Sequence, residues 1–282
     1  MTTTNHNTMQ NRTTLRLILA AVAGALCLPN ARATDRLFTY TYEPEGMPKG
    51  ASEFEQWVTL RSQRTKNVGK ENYNLWELRE EFEYGVTDNY TIDFYLNTKA
   101  ESFRDPATGM NSSSFEFAGI SLANRFNLVN PATHPVGFTL YLEPTFSGSE
   151  AAFEQKLIFG QRHGNWKWAL NLIHETEWED NFRTTVGEVE ATFGLSYALN
   201  KNWWLGLEAR NINEIVEYKE WESSAVYVGP AVHYRRENWW ATLTVMPQVW
   251  GKDYDGNTDR TSGLDLAHNE RMNIRLIFGI HF

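Results

Sequence analysis

Residues 272–282 alternate. Met272, Ile274, Leu276, Phe278, Ile280 and Phe282 are apolar, while Asn273, Arg275, Gly279 and His281 fall between them, and Ile277 is the exception. A period of two means a strand with one apolar and one polar face. About eleven tilted residues of this kind cross the hydrocarbon core of a bilayer. A half-buried strand of a soluble sandwich is the competing reading, so the rest of the chain decides.

The same unit recurs from residue 51 onward. Alternating stretches lie near 51–61, 74–84, 90–101, 114–127, 137–145, 152–160, 166–175, 186–198, 203–211, 224–234, 239–250 and 269–282. Short connections at 85–89, 130–137, 161–165, 199–202 and 235–239 alternate strictly with longer polar ones at 62–73, 102–113, 146–151, 176–185, 212–223 and 251–268. That sorting predicts an all-β, antiparallel, up-and-down transmembrane β-barrel of about 12 strands, with periplasmic turns and outer loops. The longest connection, 251–268, is expected to be the main surface-exposed loop.

The faces agree. Trp76, Leu78, Phe82 and Tyr84 share one side of their strand, and Glu77, Arg79, Glu81 and Glu83 the other. Charges at mid-strand suit a wet or salt-bridged lumen better than a dry core. Trp166, Trp168, Trp203, Trp204, Trp239 and Trp240 sit at strand ends, where aromatic girdles form. Three places break the pattern: Glu80 and Gln155 fall on the lipid face, stretch 114–127 requires a bulge, and Gly229–Pro230 is expected to mark another.

The start of the chain reads as a signal peptide. Arg12 and Arg16 precede an apolar run at 17–28 that is too short to span a bilayer, and "ARA" at 31–33 supplies a cleavage pattern. Cleavage after Ala33 would remove Cys27, which follows Leu26 rather than the small residue of a lipoprotein site. It would also remove three arginines and no acid, taking the net charge from −9 to −12. Such a charge excludes nucleic acid as a partner. The domain reading is therefore 1–33 signal peptide, 34–50 periplasmic leader and 51–282 barrel in the outer membrane of a Gram-negative bacterium. "LFTYTY" at 37–42 leaves a thirteenth strand or a lumen plug as alternatives for the leader.

No catalytic constellation is legible. His174 and Glu175 are strand neighbours and point to opposite faces, His233 faces the lumen, and His134 and His163 lie in turns. "DYDGNTD" at 253–259 resembles the start of a calcium loop, but Thr258 and Leu264 stand where glycine and glutamate belong. No enzyme activity, cofactor or metal is expected.

The lumen carries the functional reading. The pore-lining candidates are Glu77, Arg79, Glu81, Glu83, Asp93, Glu143, Glu154, Lys156, Glu188, Glu190, Glu208 and Arg210. Glu55, Glu175, Arg61, Lys99, Arg271 and Arg275 complete an inward set of eleven acids and seven bases. A narrow channel for small polar or cationic solutes is expected, with a plugged structural barrel as the alternative and an outer-membrane hydrolase behind both.

"RLIFGIHF" at 275–282 resembles the terminal signal of outer-membrane proteins, whose last aromatic residue is read by the barrel-assembly machinery. The resemblance implies that Phe282, Ile280 and Phe278 form the assembly signal, and that this machinery and outer-membrane lipid are partners. "MPKGASEFEQWVTLR" at 47–61 and "NPATHPVGFTLYLEP" at 130–144 resemble a family of uncharacterised outer-membrane barrels with a domain of unknown function. There is a looser similarity to transporter barrels linked to aromatic degradation. These resemblances imply fold and location, and no established chemistry.

Overall fold

The computed structural model describes residues 35–65, 69–254, 256 and 263–282. Twelve strands form one closed antiparallel barrel in which each strand pairs with its sequence neighbours and the last pairs with the first. They are β1 (Ser52–Ser62), β2 (Glu71–Thr87), β3 (Tyr90–Arg104), β4 (Asn111–Val129), β5 (Gly137–Phe146), β6 (Ala151–His163), β7 (Trp166–Glu179), β8 (Thr184–Ala198), β9 (Trp203–Val216), β10 (Glu220–Arg236), β11 (Trp239–Asp253) and β12 (Met272–His281). Every stretch read from the alternation is one of them. Closure removes all free edges, which is what lets strands cross a bilayer.

The strict sorting of loop lengths does not survive. Several strands run on into the stretches read as long loops, so the outer connections at 147–150, 180–183 and 217–219 are as tight as turns. Alternation in those segments was masked by polar residues on both faces. The seven-residue turn at 130–136 lies at the other end, with the turns at 88–89, 164–165, 199–202 and 237–238.

The outer wall is apolar. Leu96, Leu172, Leu205, Leu207, Leu243 and Leu276 are all exposed on it. At the short-turn end the rings form a girdle, with Trp203 and Tyr234 centroids 4.6 Å apart, Trp239 and Phe278 5.7 Å apart, and Trp166 and Tyr197 4.8 Å apart. Amphipathic rings settle at that depth of a bilayer. Glu80 and Gln155, two polar residues on this face, find partners. Gln56 donates to Glu80 at 3.1 Å, and Gln155 lies 3.4 Å from His174, whose other nitrogen is 3.0 Å from the Tyr218 hydroxyl.

The bulge in β4 falls at Ala118, where the register against β3 shifts between Asn97 and Thr98. Gly119 takes φ +116° there, and Phe115 and Phe117 thereby join Ile120 and Leu122 on the outer face. The bulge expected at Gly229–Pro230 lies elsewhere. Register with β9 is unbroken through Pro230, and the shift against β11 occurs between Val226 and Tyr227, with Val249 as the extra residue. Proline is tolerated because no ladder pair with β11 is formed at Val228–Pro230.

The periplasmic leader is corrected by the structure. Residues 35–51 occupy the lumen, with Phe38, Thr39, Thr41 and Met47 fully buried. The segment enters beside the turn at 88–89, where Lys49 N donates to Asp88 and Gly50 N to the Gly85 carbonyl. It climbs to an apex at residues 39–42 and returns to the same end, where Asp35 meets His281. It makes no strand pairing, so it is neither a thirteenth strand nor an external leader.

Candidate functional site

One carboxylate holds the apex. Glu208 projects inward from β9, and its two oxygens accept the backbone N–H groups of Thr39, Tyr40 and Thr41 at 3.2, 2.7 and 2.6 Å. Thr244 on β11 donates to the same carboxylate at 2.9 Å. Asn171 on β7 bonds both the N–H and the carbonyl of Tyr42, at 2.7 and 2.9 Å. Asn127 and Thr139 donate to the Pro44 carbonyl. A non-strand segment inside a barrel must satisfy its backbone through wall side chains, and these residues do so. Phe38 fits against Gly194, where a Cβ would stand 2.6 Å from its ring.

The foot at Asp35 is held by charge. Asp35 lies 3.0 Å from His281 and 3.0 Å from Arg235, with His233 at 3.5 Å. Burial pushes its carboxyl up, but hydrogen bonds from His233 and His281 and the Arg235 charge outweigh this and hold it well below the usual range. Burial lifts Glu43 to about 7, with Lys167 offsetting only part of the effect.

Above the plug lies an aromatic layer. Tyr42, Trp57, Tyr95, Tyr141 and Ile277 form one buried cluster. Cations cover the rings: the guanidinium carbon of Arg79 is 3.5 Å from the Tyr95 centroid, that of Arg36 3.8 Å from Tyr42, and that of Arg275 3.9 Å from Tyr40. Desolvated cation–π contacts of this kind contribute about 2 kcal/mol each.

On its other side is a cup of about 390 Å³ that opens away from the short turns, beside residues 147–151 and 178–179. Tyr40, Tyr42 and Trp57 form its floor, and its lining includes eight glutamates against five bases. The register explains the acidic wall. Glu143 pairs with Glu154, Glu154 with Glu175, Glu175 with Glu188, and Glu188 with Glu214, so five carboxylates stand directly opposed across β5 to β9. Like charges in that relation repel. Arg79 bonds Glu143, Lys156 is 2.9 Å from Glu154, and Arg210 is 2.6 Å from Glu190 and 3.8 Å from Glu188. Glu175 and Glu177 gain no salt bridge among the described residues.

The structure divides the sequence candidates into three groups. Glu77, Arg79, Glu143, Glu154, Lys156, Glu190 and Arg210 line the cup, with Glu188 beside them. Glu81, Glu83 and Asp93 lie beside the plug, not along an open path; Arg125 bonds both Glu83 and Asp93, the latter at 3.0 Å. Glu208 belongs to the plug. Of the chain-end residues, Phe278 joins the girdle, Ile280 pairs with Phe54, and Phe282 N donates to the Ser52 carbonyl.

Sequence reasoning missed the inward aromatics. Their parity was available: Trp57 follows Glu55 by two, Tyr95 follows Asp93 by two, and Tyr141 precedes Glu143 by two. Part of the loop at 251–268, expected to be the main exposed one, lies outside the described residues, and its described end turns inward. Asp265, Leu266, Ala267, Asn269 and Glu270 are buried, folded in against the mouth. Arg61 reaches Glu270 at 2.9 Å, and Gln248 accepts from Asp265 N at 2.7 Å. The calcium-like run falls largely outside the described residues, and Asp253 is its one buried member within them.

The family model for a family of unknown function (DUF6662) matches residues 30–156 and 160–282. The chain belongs to this family. No curated relative matches it by sequence. Among solved structures, the COG4313 outer membrane channel from Pseudomonas putida F1 aligns with a TM-score of 0.62 at 11% identity, covering 87% of this chain and 100% of that one. The KdgM porin in complex with disordered oligogalacturonate aligns at 0.49 and 7% identity, over 82% and 99% of the two chains. The NanC porin aligns at 0.48 and 9%, over 81% and 98%. At 11% identity the likeness to the COG4313 channel shows the fold alone, that of an outer-membrane β-barrel.

Proposed function

We propose that the protein is an outer-membrane channel that is closed at rest by residues 35–51 and gathers small cationic or cation-like polar solutes in its outward cup. The observation that carries this is the row Glu143–Glu154–Glu175–Glu188–Glu214 above a closed floor. Five opposed carboxylates cost stability, and the bases present neutralise only part of them. In a cavity walled by low-dielectric material this excess attracts cations and repels anions. Transit then requires the apex at Thr39–Tyr42 to leave Glu208.

The many bonds to the plug favour a second reading, a permanently sealed structural barrel. Reconstitution in planar bilayers under a salt gradient separates the two. The channel reading expects rare, brief openings with a cation-selective reversal potential. Complete silence at every voltage supports the sealed barrel, and anion selectivity contradicts the acidic cup.

A further inference from the structure

At the outer rim, where the acidic row ends at Glu214, side chains of metal-ligand type converge. Glu214 lies near the end of β9, Glu222 near the start of β10, and His268 in the segment that folds inward after β11. One donor atom from each lies within 4.8 Å of the other two. The distances within this group are informative. His268 Nδ1 is 3.8 Å from Glu222 Oε1, and His268 Nε2 is 3.8 Å from Asp253 Oδ1. Two ligands of one tetrahedral ion, each bound at about 2.1 Å, stand about 3.4 Å apart. The observed Nδ1–Oε1 spacing is a few tenths of an ångström from that value.

The surrounding shell fits as well. A metal-bound imidazole usually presents its second nitrogen to a carboxylate, and Asp253 stands at that nitrogen, buried on β11. Ser223 Oγ donates to Glu214 Oε2 at 3.1 Å, which orients this second carboxylate. One imidazole with two carboxylates is a donor set for a first-row divalent cation rather than for calcium or magnesium, which prefer oxygen alone.

We propose that Glu214, Glu222 and His268 bind one divalent transition-metal ion, with Asp253 and Ser223 as positioning residues. The ion would join β9, β10 and the 263–271 segment at the cup's mouth. The inference is independent of the channel reading, because it needs no transport.

Zinc is the probe. The full folded barrel, stripped with chelator in detergent, is titrated with Zn²⁺ by calorimetry, and hydrogen exchange of 263–271 is followed in parallel. The expected result is one saturable site per chain and slower exchange in that segment. His268→Ala and Glu222→Gln should each weaken binding at least tenfold, and Ser223→Ala by up to tenfold. Heat-modifiable mobility of the metal-free variants, equal to that of the wild type, shows that the barrel is intact. Cobalt substitution gives a second readout, a visible absorption band lost in His268→Ala. Zinc binding that is absent, unaltered by both ligand variants, or unable to slow exchange in 263–271 overturns the proposal, as does a site that takes calcium and refuses zinc.

Discussion

Two rows of opposed carboxylates in the lumen are treated in opposite ways. On the β1–β3 side Glu53 pairs with Glu83 and Glu83 with Asp93. There each acid has a dedicated partner: Trp240 and His281 for Glu53, and Arg125 for both Glu83 and Asp93. On the β5–β9 side the row runs along the cup, bases reach Glu143, Glu154 and Glu188, and Glu175 in the middle gains no salt bridge among the described residues. The first row is dry and compensated, so its charges are structural. The second stays more accessible and only partly compensated. The same residue type and the same register relation yield paired structural charge in one place and a partly unpaired acidic wall in the other.

The largest expected effect is therefore in the dry row. Arg125→Met leaves Glu83 and Asp93 buried without their counter-charge, at a cost of about 3–5 kcal/mol. Thermal unfolding in detergent, read as loss of heat-modifiable mobility, measures it. Glu175→Gln in the wet row should instead be neutral or stabilising, by up to about 1 kcal/mol, because it removes repulsion. Equal losses in the two variants would erase the distinction between the rows.

Next in size is selectivity. Glu175→Gln with Glu177→Gln removes two cup charges that have no salt bridge, so cation preference should fall severalfold while stability holds. Glu188 and Glu190 are poorer choices: Arg210 of β9 reaches both, and neutralising them strands a half-buried guanidinium. An unchanged reversal potential in the Glu175/Glu177 double variant would remove the cup from the permeation path.

The smallest effect concerns pH. Glu43 titrates at about 7 in the docked plug because it is buried, against about 4.5 for the free group. A raised carboxyl pKa means that docking is tightest below the free value and weakens as pH rises through 7. The change should be roughly 1–2 kcal/mol, since a buried group's shift is only partly realised. Asp35 acts in the other direction, but only below its ordinary range near 3.8. Opening frequency should rise between pH 5 and 8 in the wild type and stay flat in Glu43→Gln.

Much of the fold was legible because a period of two is a local property. β2, β8 and β12 each display their faces without reference to any other strand. The acid rows were not legible, because they depend on register between strands, and register is fixed by turns and bulges such as Ala118–Gly119. Glu208 illustrates the limit. Its parity marks it as inward, but nothing near it in sequence shows that its partners are three amides some 168 residues away. Residues 35–51 were misplaced for a related reason. Thr39, Tyr40 and Thr41 show neither strand pairing nor turn chemistry, and their backbone is satisfied wholly by side chains of the wall.

The central claim is that the resting barrel is shut by this segment and that Glu208 is its latch. Glu208→Ala removes the acceptor of three backbone donors and should weaken docking by about 3 kcal/mol, or roughly a hundredfold in the undocked population. Single-channel recording tests this directly. The account predicts frequent, long openings in Glu208→Ala at voltages where the wild type is almost silent, with cation selectivity retained. Conductance indistinguishable from the wild type, in a variant whose barrel is intact by mobility, would contradict it.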